Sequence, residues 1–109
     1  MIDVLLGSPS REKVLIFLAA RGEGYPREIA RYYDIGLASI QNQLEKLEAG
    51  GILFSKLVGR TRLYAFNPRY PFLKELQALL LKALYFYPEQ ERDKLIKNRR
   101  RPRRKGKPL

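Results

Sequence analysis

The 109-residue chain has no cysteine, no histidine and no long apolar run. Without cysteine there are no disulfides or thiolate metal sites, and nothing indicates an oxidising compartment. The absence of histidine removes the commonest transition-metal ligand and the usual general base. The apolar run at residues 4–6 is too short for a signal-peptide core or a membrane span. We therefore expect a cytoplasmic protein without metal or cofactor.

Acidic residues are scarce relative to basic ones. Lys and Arg total 22 against 11 acids, a net charge of +11, and residues 97–109 hold eight cations and no acid, so the rest carries only +3. Basic tails of this kind bind polyanions without reading sequence, and arginine pairs bidentately with phosphate. Nucleic-acid contact is favoured over a solvated end that aids solubility. The predicted tail contacts are Arg99, Arg100, Arg101, Arg103 and Arg104.

The first half of the chain predicts two helices and a tight turn. Ser8-Pro9 combines an N-cap residue with a proline at the first helical position, and glycines at 22 and 24 end that helix. A second, short helix starts at Tyr25-Pro26. Residues 34–36 then form the short turn that a helix-turn-helix requires.

A third helix is predicted from about Leu37 to Ala49, because apolar residues recur at helical spacing and Gly50-Gly51 follows. The outer face of its first two turns carries short neutral side chains, where a solvated helix favours Lys and Glu. Such side chains donate and accept hydrogen bonds, as base edges in the major groove require. Simple surface exposure is the alternative. The predicted DNA contacts are Ala38, Ser39, Gln41, Asn42 and Lys46, whereas Glu45 and Glu48 are interpreted as helix-surface charge.

Beyond Gly51 the pattern changes to that of a β-hairpin. The segments ILFSKL and RLYAF are rich in β-branched and aromatic residues, and they flank VGRT, with the turn at Gly59. Cations in this hairpin favour contacts with phosphates or the minor groove, although they also protect sheet edges. The predicted contacts are Lys56, Arg60 and Arg62, and the aromatics expected in the core include Phe17, Phe54, Tyr64, Phe66 and Phe72.

The helix predicted over 71–87 presents a wide apolar surface. A domain of this size does not easily bury all of it, so we expect a homodimer, the alternative being that this face covers its own core. The expected dimer contacts are Leu73, Leu76, Leu80 and Leu84. Residues 1–87 therefore form the expected domain, and residues 88–109 add a short helix, over 89–97, and the basic tail. The predicted fold class is mainly α with a small β-hairpin: a winged helix-turn-helix.

Residues from about Leu5 to Leu84 resemble winged-helix transcription regulators of bacteria and archaea, specifically the ArsR-like group. The resemblance is carried by SPSREKVLIFLAARGEGYPREIARYYDIGLASIQNQLEKLEAGGIL and by VGRTRLYAFNP. It implies that helix 37–49 is the recognition helix, that Arg60 and Arg62 belong to the wing, and that the first and last helices form a dimer surface. Departures are Gly36 where relatives have a Ser or Thr N-cap, and the missing Cys and His ligands of metal sensors.

The leading hypothesis is a dimeric, nucleoid-associated repressor that reads double-stranded DNA. One alternative is a sequence-indifferent chromatin or RNA-binding protein in which the tail dominates. Another is a partner of a separately encoded nucleotidyltransferase, a domain fused at this point in some similar proteins. We do not expect an enzyme, because the chain lacks histidine, cysteine, a phosphate-binding glycine loop and an acid pair with an obvious nucleophile beside it.

Overall fold

The computed structural model describes residues 1–97, so the predicted tail contacts lie outside the described residues. Six helices and three strands are present in this range. In chain order they are α1 (Asp3–Leu6), α2 (Pro9–Arg21), β1 (Glu23–Gly24), α3 (Pro26–Tyr33), α4 (Leu37–Ala49), β2 (Leu53–Val58), β3 (Thr61–Phe66), α5 (Leu73–Tyr85) and α6 (Glu89–Lys97). This order confirms the winged helix-turn-helix fold that the sequence predicts.

The starts of α2 and α3 are stabilised by different caps. The Ser8 hydroxyl accepts a hydrogen bond from the Arg11 backbone N–H at 3.1 Å, which confirms the predicted N-cap. At the start of α3, the Glu28 carboxylate accepts from the backbone N–H of Tyr25 at 3.2 Å. The three residues 34–36 then separate α3 from α4. Both helices therefore begin where the sequence indicates.

Helix α2 lies at the centre of the molecule. Five consecutive residues, Val14 to Leu18, are at most 1% exposed, so apolar side chains cover every side of the helix at this level. One side packs against α4 through Ile40, Leu44 and Leu47, the apolar positions that the sequence predicts. The core of α2 thus fixes the rotation of α4 and determines which of its side chains face outward.

The sheet has one strand more than the sequence predicts. Its order is β1-β3-β2, all antiparallel, and β1 contributes only the pairs Glu23↔Ala65 and Gly24↔Tyr64. Two residues are too few to show a period of two in sequence. A Cβ on buried Gly24 would lie 2.9 Å from Cε1 of Phe17, so this glycine permits the close contact between β1 and α2.

The predicted hairpin of β2 and β3 is confirmed, with Val58 opposite Thr61 and a two-residue turn between them. Gly59 in this turn has a φ of +64°, a conformation that glycine adopts without strain. The expectation that Phe54 lies in the core is wrong, since it is 40% exposed. Neighbouring residues of a strand point to opposite faces, and Leu53 takes the buried one.

Helices α5 and α6 complete the core of the same chain. Leu80 and Leu84 of α5 are buried in the cluster around α2, whereas they were expected at a dimer contact. Phe72, also expected in the core, precedes α5, is 63% exposed and packs edge-on against the Tyr70 ring. Helix α6 buries Leu95 in the main core, so the boundary expected at 87/88 separates two helices that share it.

Candidate nucleic-acid interface

The first two turns of α4 present their short polar side chains to solvent. Ala38, Ser39, Gln41 and Asn42 are exposed, whereas Ile40 between them is completely buried. The N-cap of this helix, Gly36, has no side chain that could satisfy the first backbone N–H groups. The orientation of α4 therefore comes from its packed apolar side rather than from its cap.

Two contacts with α2 define the edge of this exposed face. The Gln43 side-chain oxygen accepts a hydrogen bond from Nε of Arg11 at 2.9 Å, so this half-buried amide is held against the protein. The hydroxyl oxygens of Ser10 and Ser39 lie 3.4 Å apart. Gln43 is consequently engaged, and the amides of Gln41 and Asn42 remain the outward-facing ones in these two turns.

The hairpin places its cations on exposed positions near this helix. Lys56, Arg60 and Arg62 are all exposed, and Lys46 of α4 is exposed as well. In the turn, the Thr61 hydroxyl donates to the Val58 carbonyl at 3.2 Å. This hydrogen bond and the pairing of β2 with β3 fix the backbone conformation of the hairpin that carries Arg60 and Arg62.

A groove of about 320 Å³ joins the start of α3, the middle of α4 and the hairpin. It brings together three of the predicted residues, namely Gln41, Arg60 and Arg62. Ala38, Ser39, Asn42, Lys46 and Lys56 are exposed but do not line it. The groove is lined by Tyr25, Pro26, Arg27, Gln41, Glu45, Arg60, Thr61, Arg62 and Tyr64.

Two charged residues of this groove were not assigned to the site from sequence. Arg27 stands in the first turn of α3, beside the helix start that Pro26 signals, but nothing in the sequence relates it to the hairpin. Glu45 was assigned to surface charge, yet it lines the groove one turn after Gln41. With three arginines and one glutamate, the lining has an excess of positive charge and suits an anion.

Tyr64, at the hairpin side of the groove, lies near charges of both signs. Burial raises the pKa of the Tyr64 hydroxyl, and the carboxylates of Glu48 and Glu45 raise it further. Arg62 and a hydrogen bond with Ser55 act in the opposite direction. Tyr64 therefore remains a neutral hydrogen-bonding group at physiological pH, between acids of α4 and the cation of the hairpin.

The four leucines expected at a dimer contact lie in or against the core of their own chain. Leu73 and Leu76 are half-buried against the core, and Leu80 and Leu84 lie inside it. Other apolar side chains are exposed instead: Val4, Leu5, Leu81, Tyr85 and Phe86. A groove of about 330 Å³ with a mainly apolar lining lies between the N-terminus and α5, and it is lined by Met1, Ile2, Leu79, Lys82, Ala83 and Phe86.

Among residues 1–97 there is no group of three or more His, Cys, Asp or Glu side chains suited to a metal ion. Within the same range no helix combines the length and apolarity needed to cross a membrane.

Several solved structures have the same fold. The crystal structure of AntR, an antimony-specific transcriptional repressor, is 21% identical with a TM-score of 0.61 and covers 77% of this chain and 74% of its own. ZitR from Lactococcus lactis, a zinc-responsive MarR family member, is 15% identical with a TM-score of 0.52, covering 83% and 69%. An ArsR family transcriptional regulator is 26% identical with a TM-score of 0.50, covering 91% and 90%.

No protein-family model matches the chain, and no curated protein matches it. The similar structures are winged-helix regulators of both the MarR and the ArsR families, so the fold is that of a winged-helix transcription regulator.

Proposed function

We propose that this protein is a dimeric, sequence-specific transcription regulator that binds double-stranded DNA and represses by occupying a promoter. Helix 37–49 reads bases in the major groove, and wing 52–66 contacts the flanking backbone or minor groove. One observation carries the proposal: the exposed amide of Gln41 on α4 lines the same groove as the wing residues Arg60 and Arg62.

The exposed face of α4 has the chemistry of a base-reading surface. The amides of Gln41 and Asn42 match the donor and acceptor pair of adenine, the Ser39 hydroxyl suits several bases, and Ala38 suits a thymine methyl group. The burial of Ile40 and the Arg11–Gln43 hydrogen bond hold the helix at the rotation that presents these groups. The surface is therefore preorganised before DNA arrives.

The arginines beside this face supply sequence-independent affinity. Arg60 and Arg62 on the wing, with Arg27 at the start of α3, surround the groove from two sides. Guanidinium groups in this arrangement bind backbone phosphates and thereby fix the register of the reading helix. Lys46, Lys56 and the tail arginines extend the positive surface in this proposal.

The similar structures support this assignment, since one is described as a transcriptional repressor and another as an ArsR family transcriptional regulator. AntR is described as antimony-specific and ZitR as zinc-responsive. The proposed regulator does not respond to these metals, because the chain has neither cysteine nor histidine to bind them.

We further propose that the dimer contact is formed by α1 and the outer face of α5. Val4 is 92% exposed, Tyr85 72% and Phe86 67%, and Phe86 lines the apolar groove beside the N-terminus. Exposed apolar side chains beside an apolar groove allow a twofold contact, in which the side chains of each chain enter the groove of the other. Sedimentation at micromolar concentration is expected to give twice the mass of one chain, and a monomer would contradict the dimer.

The proposed function is tested by selection from random duplex DNA with the full chain, followed by sequencing. We expect enrichment of a palindromic motif with half-sites about one helical turn apart, because two recognition helices would enter successive major grooves. Binding without any enriched motif would support the sequence-indifferent alternative. Recovery of one stoichiometric protein partner and no DNA binding would support the interaction module.

Deleting residues 97–109 separates the contribution of the tail from that of α4. The deletion is expected to weaken binding to all sequences and to flatten the salt dependence by about 0.9 in slope for each phosphate that the tail no longer neutralises. The enriched motif should stay the same. A motif that disappears with the tail would contradict base reading by α4.

A further inference from the structure

The last turn of α4 is joined directly to the wing. A carboxylate oxygen of Glu48, Oε2, accepts a hydrogen bond from the Ser55 hydroxyl at 2.8 Å and another from the Ser55 backbone N–H at 3.1 Å. Both residues are half-buried. Hydrogen bonds to an ionised carboxylate are shorter and stronger than neutral ones, so this pair fixes β2 relative to α4.

The connection continues to the wing arginine. The Ser55 hydroxyl oxygen also accepts from Nη1 of Arg62 at 3.4 Å, and Arg62 stands opposite Leu57 in the hairpin register. Since β2 is an edge strand paired only with β3, the backbone N–H that Ser55 donates to Glu48 lies on the unpaired side of β2. A movement of Glu48 would therefore be transmitted to Arg62 through Ser55 and through the strand pairing.

We propose that Glu48 is a positioning residue that sets the wing, and Arg62 in particular, at a fixed distance from the base-reading face of α4. This inference rests on the proposed function. Glu48 contacts no DNA in this proposal. Its carboxylate holds two DNA-contacting elements in the relative position that lets them bind one duplex together.

Electrostatics alone predicts the opposite effect of removing this carboxylate. Replacing any glutamate by a neutral residue raises the net charge from its value of +11, which favours binding to DNA phosphates. A positioning role predicts weaker binding when the acceptor is removed. The two accounts thus differ in the sign of the change in affinity.

The test compares Glu48→Ala with Glu48→Gln in the full chain, using the duplex recovered by selection as the probe. Both variants lose the same charge, but glutamine retains an oxygen that accepts from Ser55. We expect Glu48→Gln to bind at least as tightly as the original chain and Glu48→Ala to bind about tenfold more weakly than Glu48→Gln. Glu75→Ala, an exposed acid of α5, is the control for charge and should not weaken binding.

A double-mutant cycle with Arg62→Ala separates positioning from general destabilisation. If Glu48 acts through Arg62, the tenfold difference should shrink to about twofold or less when Arg62 is absent. An undiminished difference, or equal affinities of the alanine and glutamine variants, overturns the inference while leaving the proposed function intact. An original chain without sequence preference overturns both.

Ser55→Ala is the second test variant, to be used if far-UV circular dichroism shows that Glu48→Ala does not fold. It keeps the Glu48 charge and the backbone hydrogen bond but removes the 2.8 Å bond and the bond from Arg62. We expect weaker binding to the selected duplex, again only when Arg62 is present. Unchanged affinity of this variant would overturn the inference.

Discussion

Arg21, the last residue of α2, connects the core to the C-terminal helix. It is buried, and its Nε donates a hydrogen bond to the Leu95 carbonyl at 3.1 Å. Its guanidinium carbon lies 4.6 Å from the centre of the Phe17 ring and 5.0 Å from that of Tyr32. We therefore predict that Arg21→Ala destabilises the whole domain rather than only its surface.

The expected destabilisation can be worked out from these interactions. A charged hydrogen bond contributes about 1.5–3 kcal/mol, and its removal leaves a carbonyl near the end of α6 without this partner. Each aromatic face adds about 0.5–1 kcal/mol. The 3.8 Å ion pair between Arg21 and the partly exposed Glu28 adds little to this sum, because solvent screens it. The free energy of unfolding should fall by about 3 kcal/mol, which lowers Tm by about 12 °C or more in a domain of this size.

Urea unfolding followed by far-UV circular dichroism measures this change. Arg31→Ala is the matched control, because Arg31 is an exposed arginine of α3, and its change should stay within about 0.5 kcal/mol. A decrease below about 1 kcal/mol for Arg21→Ala, or equal decreases for the two variants, would refute the reasoning that Arg21 holds α6 on the core.

Two further predictions concern stability. Gly24→Ala places a Cβ 2.9 Å from Cε1 and 3.3 Å from Cδ1 of Phe17, so it should cost about 1–3 kcal/mol in thermal unfolding, and an unchanged Tm would contradict this packing. Burial, and secondarily Tyr87, raise the pKa of the Tyr33 hydroxyl, which has no hydrogen-bond partner among the residues described. An unfolded tyrosine titrates near pH 10, so above about pH 10 the unfolded state loses this proton first and stability falls as pH rises. Tyr33→Phe should lessen the fall in urea stability between about pH 8 and pH 11, and an identical fall in both proteins would argue against a buried, neutral Tyr33.

The sequence predicts the bounds of α3 and α4 and the hairpin well, because each shows a clear period with a residue that ends it. Leu37–Ala49, for example, has buried residues at helical spacing and glycine at its end. Such local patterns need no knowledge of distant partners. The exposed polar face of α4, which we propose reads bases, follows from the same period, since the burial of Ile40 determines which of its neighbours face outward.

What the sequence could not predict depends on contacts between distant segments. The apolar stripe of α5 indicates that this face is covered but not which segment covers it. In the structure α2 and α6 both contact α5, and Leu80 and Leu84 lie in the core that these helices share. Glu48 has the sequence pattern of a surface acid, yet it binds Ser55 of the wing. Arg27 and Glu45 reach the groove only through the packing of α3, α4 and the hairpin.

The base-preference profile of α4 variants tests the central claim most directly. Affinities of the original chain, Gln41→Ala and Asn42→Ala would be measured for the selected duplex and for every single base-pair change in it. We expect each variant to lose about 1–3 kcal/mol on the selected duplex and to relax the preference at its own base pair alone. Profiles that keep every preference of the original chain would contradict base reading by this helix.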